Sequence, residues 1–266
     1  MIQDVDDPAD PRLAAFADVG DHAALRARGL FVAEGRLVLR RLIELNRFEI
    51  DSILLAPAAL AELGARLRPV GCPVYVARPA VLQAVTGFDF HRGCLALAKR
   101  PAQPDPARFA AGRLLLGLEG VGNPDNVGGL FRVAAAFGAD GILLDPACGD
   151  PLYRKAIRTS MGAALRVPFA HAPAFPGGLQ PFAEAGFQLV AMTPSASAVP
   201  LQRFSRALQP GARLLVLFGA EGAGLSNAVL ERADARVRIP VAEDVDSLNV
   251  TVAAGIALSA LSTQAG

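Results

Sequence analysis

The residues in this 266-residue chain best suited to chemistry lie in three glycine- and asparagine-bearing stretches of its C-terminal half. The first is Asn123-Pro124-Asp125-Asn126-Val127-Gly128-Gly129-Leu130-Phe131-Arg132. The second, Leu217-Phe218-Gly219-Ala220-Glu221-Gly222-Ala223-Gly224-Leu225-Ser226, sets three glycines around one carboxylate. The third runs from Ile239-Pro240-Val241 to Ser247-Leu248-Asn249-Val250-Thr251. A guanidinium such as Arg132 stays protonated at neutral pH, so it suits holding a phosphate or stabilising developing negative charge rather than abstracting a proton. Asn249, a polar amide in an otherwise apolar segment, suits facing a site or an inner hydrogen bond, and a tight turn alone leaves the carboxylate of Glu221 unexplained. Glycines in so short a loop imply positive φ or close backbone approach, which presents main-chain amides to a bound molecule. The sequence disfavours a nicotinamide-dependent oxidoreductase. In Gly120-Val121-Gly122-Asn123-Pro124-Asp125 an aspartate stands where the dinucleotide fingerprint needs its third glycine, and Pro124 interrupts the loop.

These stretches need a scaffold, and the apolar pattern supplies one. Strands are expected at 114–118, 141–144, 188–192, 214–218 and 236–239, with helical segments between most of them. Runs that are apolar on both faces and separated by helices indicate a mostly parallel sheet covered on both sides, whose ligands sit beyond the carboxyl ends of the strands. The first stretch leads into a helix over 126–137, capped by Asp125 or Asn126, with Arg132 on its second turn. Ser226 caps a helix over 228–232. Ser247 is a suitable cap for the last helix, which places Asn249 one turn inside an otherwise apolar segment.

The prolines at 101, 104 and 106 mark a linker over 101–112. Ahead of it, residues 31–45 read as an amphipathic helix, 52–55, 74–77 and 94–98 as strands, and 58–67 and 80–85 as helices. The chain therefore divides into an acidic segment over 1–21, a small α/β domain over 22–100, the linker, and a larger α/β domain over 113–266.

With 52% hydrophobic and 19% charged residues, the chain is expected to be a folded, cytoplasmic protein. Its net charge of +1 conceals an uneven distribution. Residues 22–100 hold twelve Lys and Arg against six Asp and Glu, whereas residues 1–21 hold one arginine against six aspartates. A local basic surface is what phosphate neutralisation requires, and solvated helix faces produce the same pattern. His22, His91 and His171 lack metal-ligand spacing, and Cys72, Cys94 and Cys148 form no paired motif, so neither a metal nor a disulfide framework is expected.

In order, spacing and context, the three stretches resemble the signature motifs of the SpoU (TrmH) branch of the SPOUT RNA methyltransferases. The resemblance implies a sheet with a deep trefoil knot, a homodimer, an RNA substrate, and S-adenosylmethionine as methyl donor to a ribose 2′-hydroxyl. Carried onto this chain, it places the active site at Asn126, Arg132, Glu221, Ser247 and Asn249. It places the cofactor against main-chain groups around Leu217, Gly219, Ile239 and Leu248. Thr251 stands where the family commonly has serine. Phe31-Val32-Ala33-Glu34-Gly35 and Phe88-Asp89-Phe90-His91-Arg92-Gly93 look like parts of the ribosomal-protein-like RNA-binding domain that precedes many members. rRNA is the first choice of substrate by that analogy and tRNA the second. The competing readings are a SPOUT-type base methyltransferase and a non-catalytic RNA-binding assembly factor.

Overall fold

The computed structural model describes residues 2–17, 19–87, 93–242 and 247–265. Phe88 to Arg92 and the acidic stretch 243–246 lie outside the described residues. Two compact units emerge, one of Met1–Ala102 with Leu152–Leu165, the other of Gln103–Pro151 with Arg166–Gly266.

In the first unit, strands β1 (Ile2–Asp4), β2 (Leu30–Glu34), β3 (Ile50–Leu55), β4 (Val74–Val76) and β5 (Cys94–Lys99) form a sheet in the order β1-β4-β3-β5-β2. β5 runs antiparallel to both of its neighbours and the other pairs are parallel. Helices α1 (His22–Ala27), α2 (Arg36–Leu45), α3 (Pro57–Leu67) and α4 (Pro79–Thr86) belong to the same unit.

Residues 31–45 are not one helix. Phe31 and Val32 are β-formers, every residue of β2 is buried, and Gly35, at φ 97°, turns the chain into α2. The acidic segment over 1–21 contributes to the first unit. β1 pairs with β4, Leu13 and Phe16 are core residues, and Asp21 caps α1 by accepting from the amides of Ala23 and Ala24. Asp10 is bonded to Arg12, whose guanidinium holds that carboxyl down at about 2.

The second unit is built on seven parallel strands. β6 (Leu114–Glu119) leads to α5 (Pro124–Ala136) and β7 (Gly141–Leu144); after α6 (Arg154–Thr159) and α7 (Ala163–Arg166), which belong to the first unit up to Leu165, comes β8 (Phe169–His171). Then follow α8 (Gln180–Glu184), β9 (Gln188–Met192), β10 (Val199–Pro200), α9 (Leu201–Ala207), β11 (Leu214–Gly219), α10 (Asn227–Arg232), β12 (Ala235–Arg238) and α11 (Val250–Ala265). The sheet order is β10-β12-β9-β11-β6-β7-β8.

The five strands expected from the apolar runs are present, with ends that differ by no more than one residue. The two short outer strands, β8 and β10, have too few residues to stand out as runs. β11 sits between β9 and β6, and its side chains from Leu214 to Leu217 are wholly buried, which explains the unbroken apolar run. Among the described residues, no helix is long and apolar enough to cross a membrane.

Candidate active site

All three motif stretches converge at the carboxyl edge of the parallel sheet of the second unit. The first follows β6. Asn123, not Asp125 or Asn126, caps α5 by accepting from the Asp125 amide at 2.9 Å. Starting the helix at Pro124 suits proline, whose missing N–H costs nothing in a first turn. Asn126 thereby becomes an inward-facing helical residue, 6% exposed, rather than a cap.

The second stretch follows β11. Its loop closes on itself, with the Gly224 amide donating to the Ala220 carbonyl at 2.9 Å, while Gly222 and Gly224 hold φ of 81° and 69°. A Cβ on Gly219 would lie 2.0 Å from the backbone of Gly224, so the strand end and the returning loop touch main chain to main chain. Ser226 caps α10 as expected, accepting from the Val229 amide. It is pinned in turn by Glu119 at the end of β6, whose two carboxylate oxygens accept from the Ser226 amide at 2.8 Å and hydroxyl at 2.7 Å.

The third stretch enters α11, and here the cap is Asn249 instead of Ser247. Its Oδ1 accepts from the Thr251 amide at 2.9 Å. That bond fixes which end of the side chain is nitrogen, because only oxygen can accept there. Nδ2 then donates to Glu221 Oε1 at 2.7 Å and to Asn126 Oδ1 at 3.0 Å. One side chain joins all three stretches, across 123 residues on one side and 28 on the other.

Beside this junction lies a cavity of about 470 Å³, within the range of small-molecule sites. Gly219, Glu221, Ile239, Ser247, Leu248 and Asn249 are among its walls. Leu217 is not. Its side chain is buried beneath, where a Cβ on Gly117 would meet it at 2.5 Å. The sequence reading missed Met192, Thr193 and Pro194, which line the cavity from the end of β9. An apolar run ending in Thr-Pro was the available signal, since every strand of a parallel sheet opens at this edge.

Arg132 does not line the cavity. It is exposed on α5 and has no hydrogen-bond or ion-pair partner among the described residues; Glu221 is engaged by Asn249. Ser247 is exposed on the cavity wall. Thr251 packs on Gly129, where an added Cβ would fall 2.5 Å from its hydroxyl, so the Thr251 side chain of α11 fills the space that Gly129 of α5 leaves open. Cys94 and Cys148 have thiols pushed up to about 12, chiefly by burial, which makes them unsuited to nucleophilic work. Among the described residues, no group of three or more His, Cys, Asp or Glu could hold a metal.

Residues 113–259 match the model of the SpoU rRNA Methylase family. The chain belongs to the SpoU rRNA methylase family. It is therefore an RNA methyltransferase, and the three stretches lie within the matched region. This SpoU methylase is 42% identical to an uncharacterized tRNA/rRNA methyltransferase of Mycobacterium bovis over 96% of this chain and 90% of that protein. Its fold matches that of an AdoMet-bound rRNA methyltransferase from Sinorhizobium meliloti, with a TM-score of 0.81 at 24% identity over 98% of this chain and 97% of the other. It also matches an RNA 2′-O ribose methyltransferase, with a TM-score of 0.78 at 26% identity over 98% and 99% of the two chains. The α/β architecture with its mostly parallel sheet is thus that of SPOUT methyltransferases.

Proposed function

We propose that this SpoU methylase transfers a methyl group from S-adenosylmethionine to a ribose 2′-hydroxyl, in rRNA before tRNA. The observation that carries the reading is the Asn249 junction, which ties Asn126 and Glu221 into one hydrogen-bonded group at the wall of the cavity. The cavity suits the cofactor. Phe218, Ile239 and Leu248 offer apolar walls, and the tight Gly219 loop brings main-chain groups to the surface. When bound, S-adenosylmethionine supplies an electrophilic methyl on a cationic sulfonium, so the protein's task is positioning and charge management.

Asn126, Ser247 and Asn249 orient the ribose, and Glu221 fixes the Asn249 amide. Arg132 grips the adjacent phosphate or stabilises negative charge developing on the hydroxyl oxygen, as a group already protonated at neutral pH must. Its lack of a partner among the described residues fits a site completed by a second copy. Val252 and Ile256, one turn apart on α11 and 50% and 40% exposed, give that homodimer an apolar contact face. The trefoil knot, the ribosomal-protein-like character of the first unit and a cytoplasmic location belong to the same reading.

The test is methyl transfer from labelled S-adenosylmethionine to RNA lacking the modification, followed by nucleoside analysis. Wild-type protein should yield a 2′-O-methyl nucleoside, and Arg132→Ala should abolish turnover while sparing cofactor binding. A methylated base as product, or wild-type rates in Arg132→Ala, would overturn the assignment.

A further inference from the structure

Strand β2 of the first unit ends in a glutamate that the folding of this unit alone does not explain. Glu34 is 7% exposed, and its buried Oε2 has no hydrogen-bond partner among the described residues. Its nearest charge is the Arg154 guanidinium, 3.8 Å away. That is long for an ion pair, and burying a carboxylate without hydrogen bonds is costly. Glu34 forms part of the wall of a second cavity, of about 400 Å³, contained within the first unit.

The other walls have a definite chemistry. Leu37 and Val38, from the first turn of α2, are apolar, and no side chain caps that helix, because Gly35 stands at its N-cap. Arg36 and Arg158 stand at the exposed rim. Arg36 is held by Glu62 at 2.7 Å, while Arg158 has no hydrogen-bond or ion-pair partner among the described residues. Met161 is the unusual member. It follows α6 at φ 53°, a left-handed position where glycine is the common choice, and yet it carries a long side chain that is 39% exposed. The Gly162 amide bonded to the Ile157 carbonyl, together with Arg41 donating to the Met161 carbonyl, locks this turn. Backbone strain of about 1 kcal/mol or more, held in place to aim a soft apolar side chain at a cavity, is a feature associated with ligand sites.

We propose that this cavity receives one unpaired guanine of the RNA, its Watson–Crick edge on Glu34, its ring against Met161, and its flanking phosphates on Arg36 and Arg158. The inference rests on the reading of RNA as substrate. A carboxylate accepts only. Guanine presents two adjacent donors, N1–H and the 2-amino group, whereas adenine and cytosine place an acceptor beside their amino group and uracil flanks its imino proton with two carbonyls. The order of groups fits a splayed-out base, with apolar and accepting groups inside and cations outside where a backbone would pass.

The experiment measures binding of the full-length protein to three fluorescent single-stranded hexaribonucleotides, AAGAAA, AAIAAA and AAAAAA, where I is inosine and lacks the 2-amino group. The guanine hexamer should bind about 10-fold tighter than the other two, the worth of a hydrogen bond to a charged acceptor. Glu34→Gln should erase that preference, and Arg158→Ala should weaken all three alike while keeping it. Equal binding of the three hexamers by wild-type protein, or a preference that survives Glu34→Gln, overturns the proposal. The wild-type comparison decides even where Glu34→Gln fails to fold. A purely structural Glu34 would lower the melting temperature of that variant without changing the guanine-to-inosine ratio. Methyl transfer to cellular RNA, run in parallel, separates the two readings: transfer without a guanine preference removes only the pocket, and preference without transfer removes only the proposed reaction.

Discussion

Replacing Asn249 by aspartate isolates the bridge between the three motif stretches from the helix cap made by the same side chain. Aspartate keeps an oxygen to accept from the Thr251 amide, so the start of α11 should be retained. It loses the donor shared by Asn126 and Glu221 and sets a second carboxylate against Glu221. The bond to charged Glu221 is worth about 1.5–3 kcal/mol and the neutral one about 1 kcal/mol, so roughly 3 kcal/mol of local order is at stake. If that order is what positions the substrate, methyl transfer should fall by about 100-fold, with stability lowered by no more than the same amount, about 3 kcal/mol. Asn249→Ala removes the cap as well and should add about 1 kcal/mol of destabilisation, read by urea unfolding. The assay is single-turnover methyl transfer alongside calorimetric cofactor binding. Asn249→Asp with wild-type transfer would refute the reasoning, since the cap would then be the side chain's whole contribution.

Gly129→Ala should destabilise the protein by about 1–3 kcal/mol, because its Cβ would lie 2.5 Å from the Thr251 hydroxyl; Thr251→Ala should recover part of that loss in the double variant, measured by denaturant titration. Gly219→Ala sets a Cβ 2.0 Å from the backbone of Gly224, which no side-chain adjustment relieves, so calorimetry should show cofactor binding lost. The thiols of Cys94 and Cys148, raised from 9.0 to about 12, favour the protonated form in the folded state. Stability from keeping them protonated is therefore complete below pH about 9 and declines as pH rises towards 12. The urea midpoint should fall across that window, less steeply in Cys94→Ala, and an unchanged slope would count against burial as the cause.

The sheet of the second unit could be read from the chain because buried parallel strands leave unbroken apolar runs, as at 214–218. The motif residues could be read because glycine and asparagine at fixed spacing have few structural uses. Of the site residues named from sequence, the structure brings Asn126, Glu221 and Asn249 into one hydrogen-bonded group and sets Gly219, Ser247, Ile239 and Leu248 around the cavity. It leaves Leu217 in the core and Arg132 at the surface. Local signals failed where two residues compete for one task. Ser247 and Asn249 are both good caps, and only the positions of Glu221 and Asn126 favour Asn249. The fusion of 31–34 with the following helix had a similar origin, since a short strand abutting an amphipathic helix shares its apolar residues. The packing of Leu152–Leu165 into the first unit is a contact between distant parts of the chain and leaves no periodicity to read.

Glu119 grips Ser226 across 107 residues, and Asn249 grips Asn126 across 123. Neither bond can form on a chain that is still being synthesised until translation has passed the second partner. A ribosome-borne fragment, even one with β6 and α5 complete, would therefore carry no assembled site. Translation itself limits the onset of activity: competence cannot arrive before the start of α11 emerges.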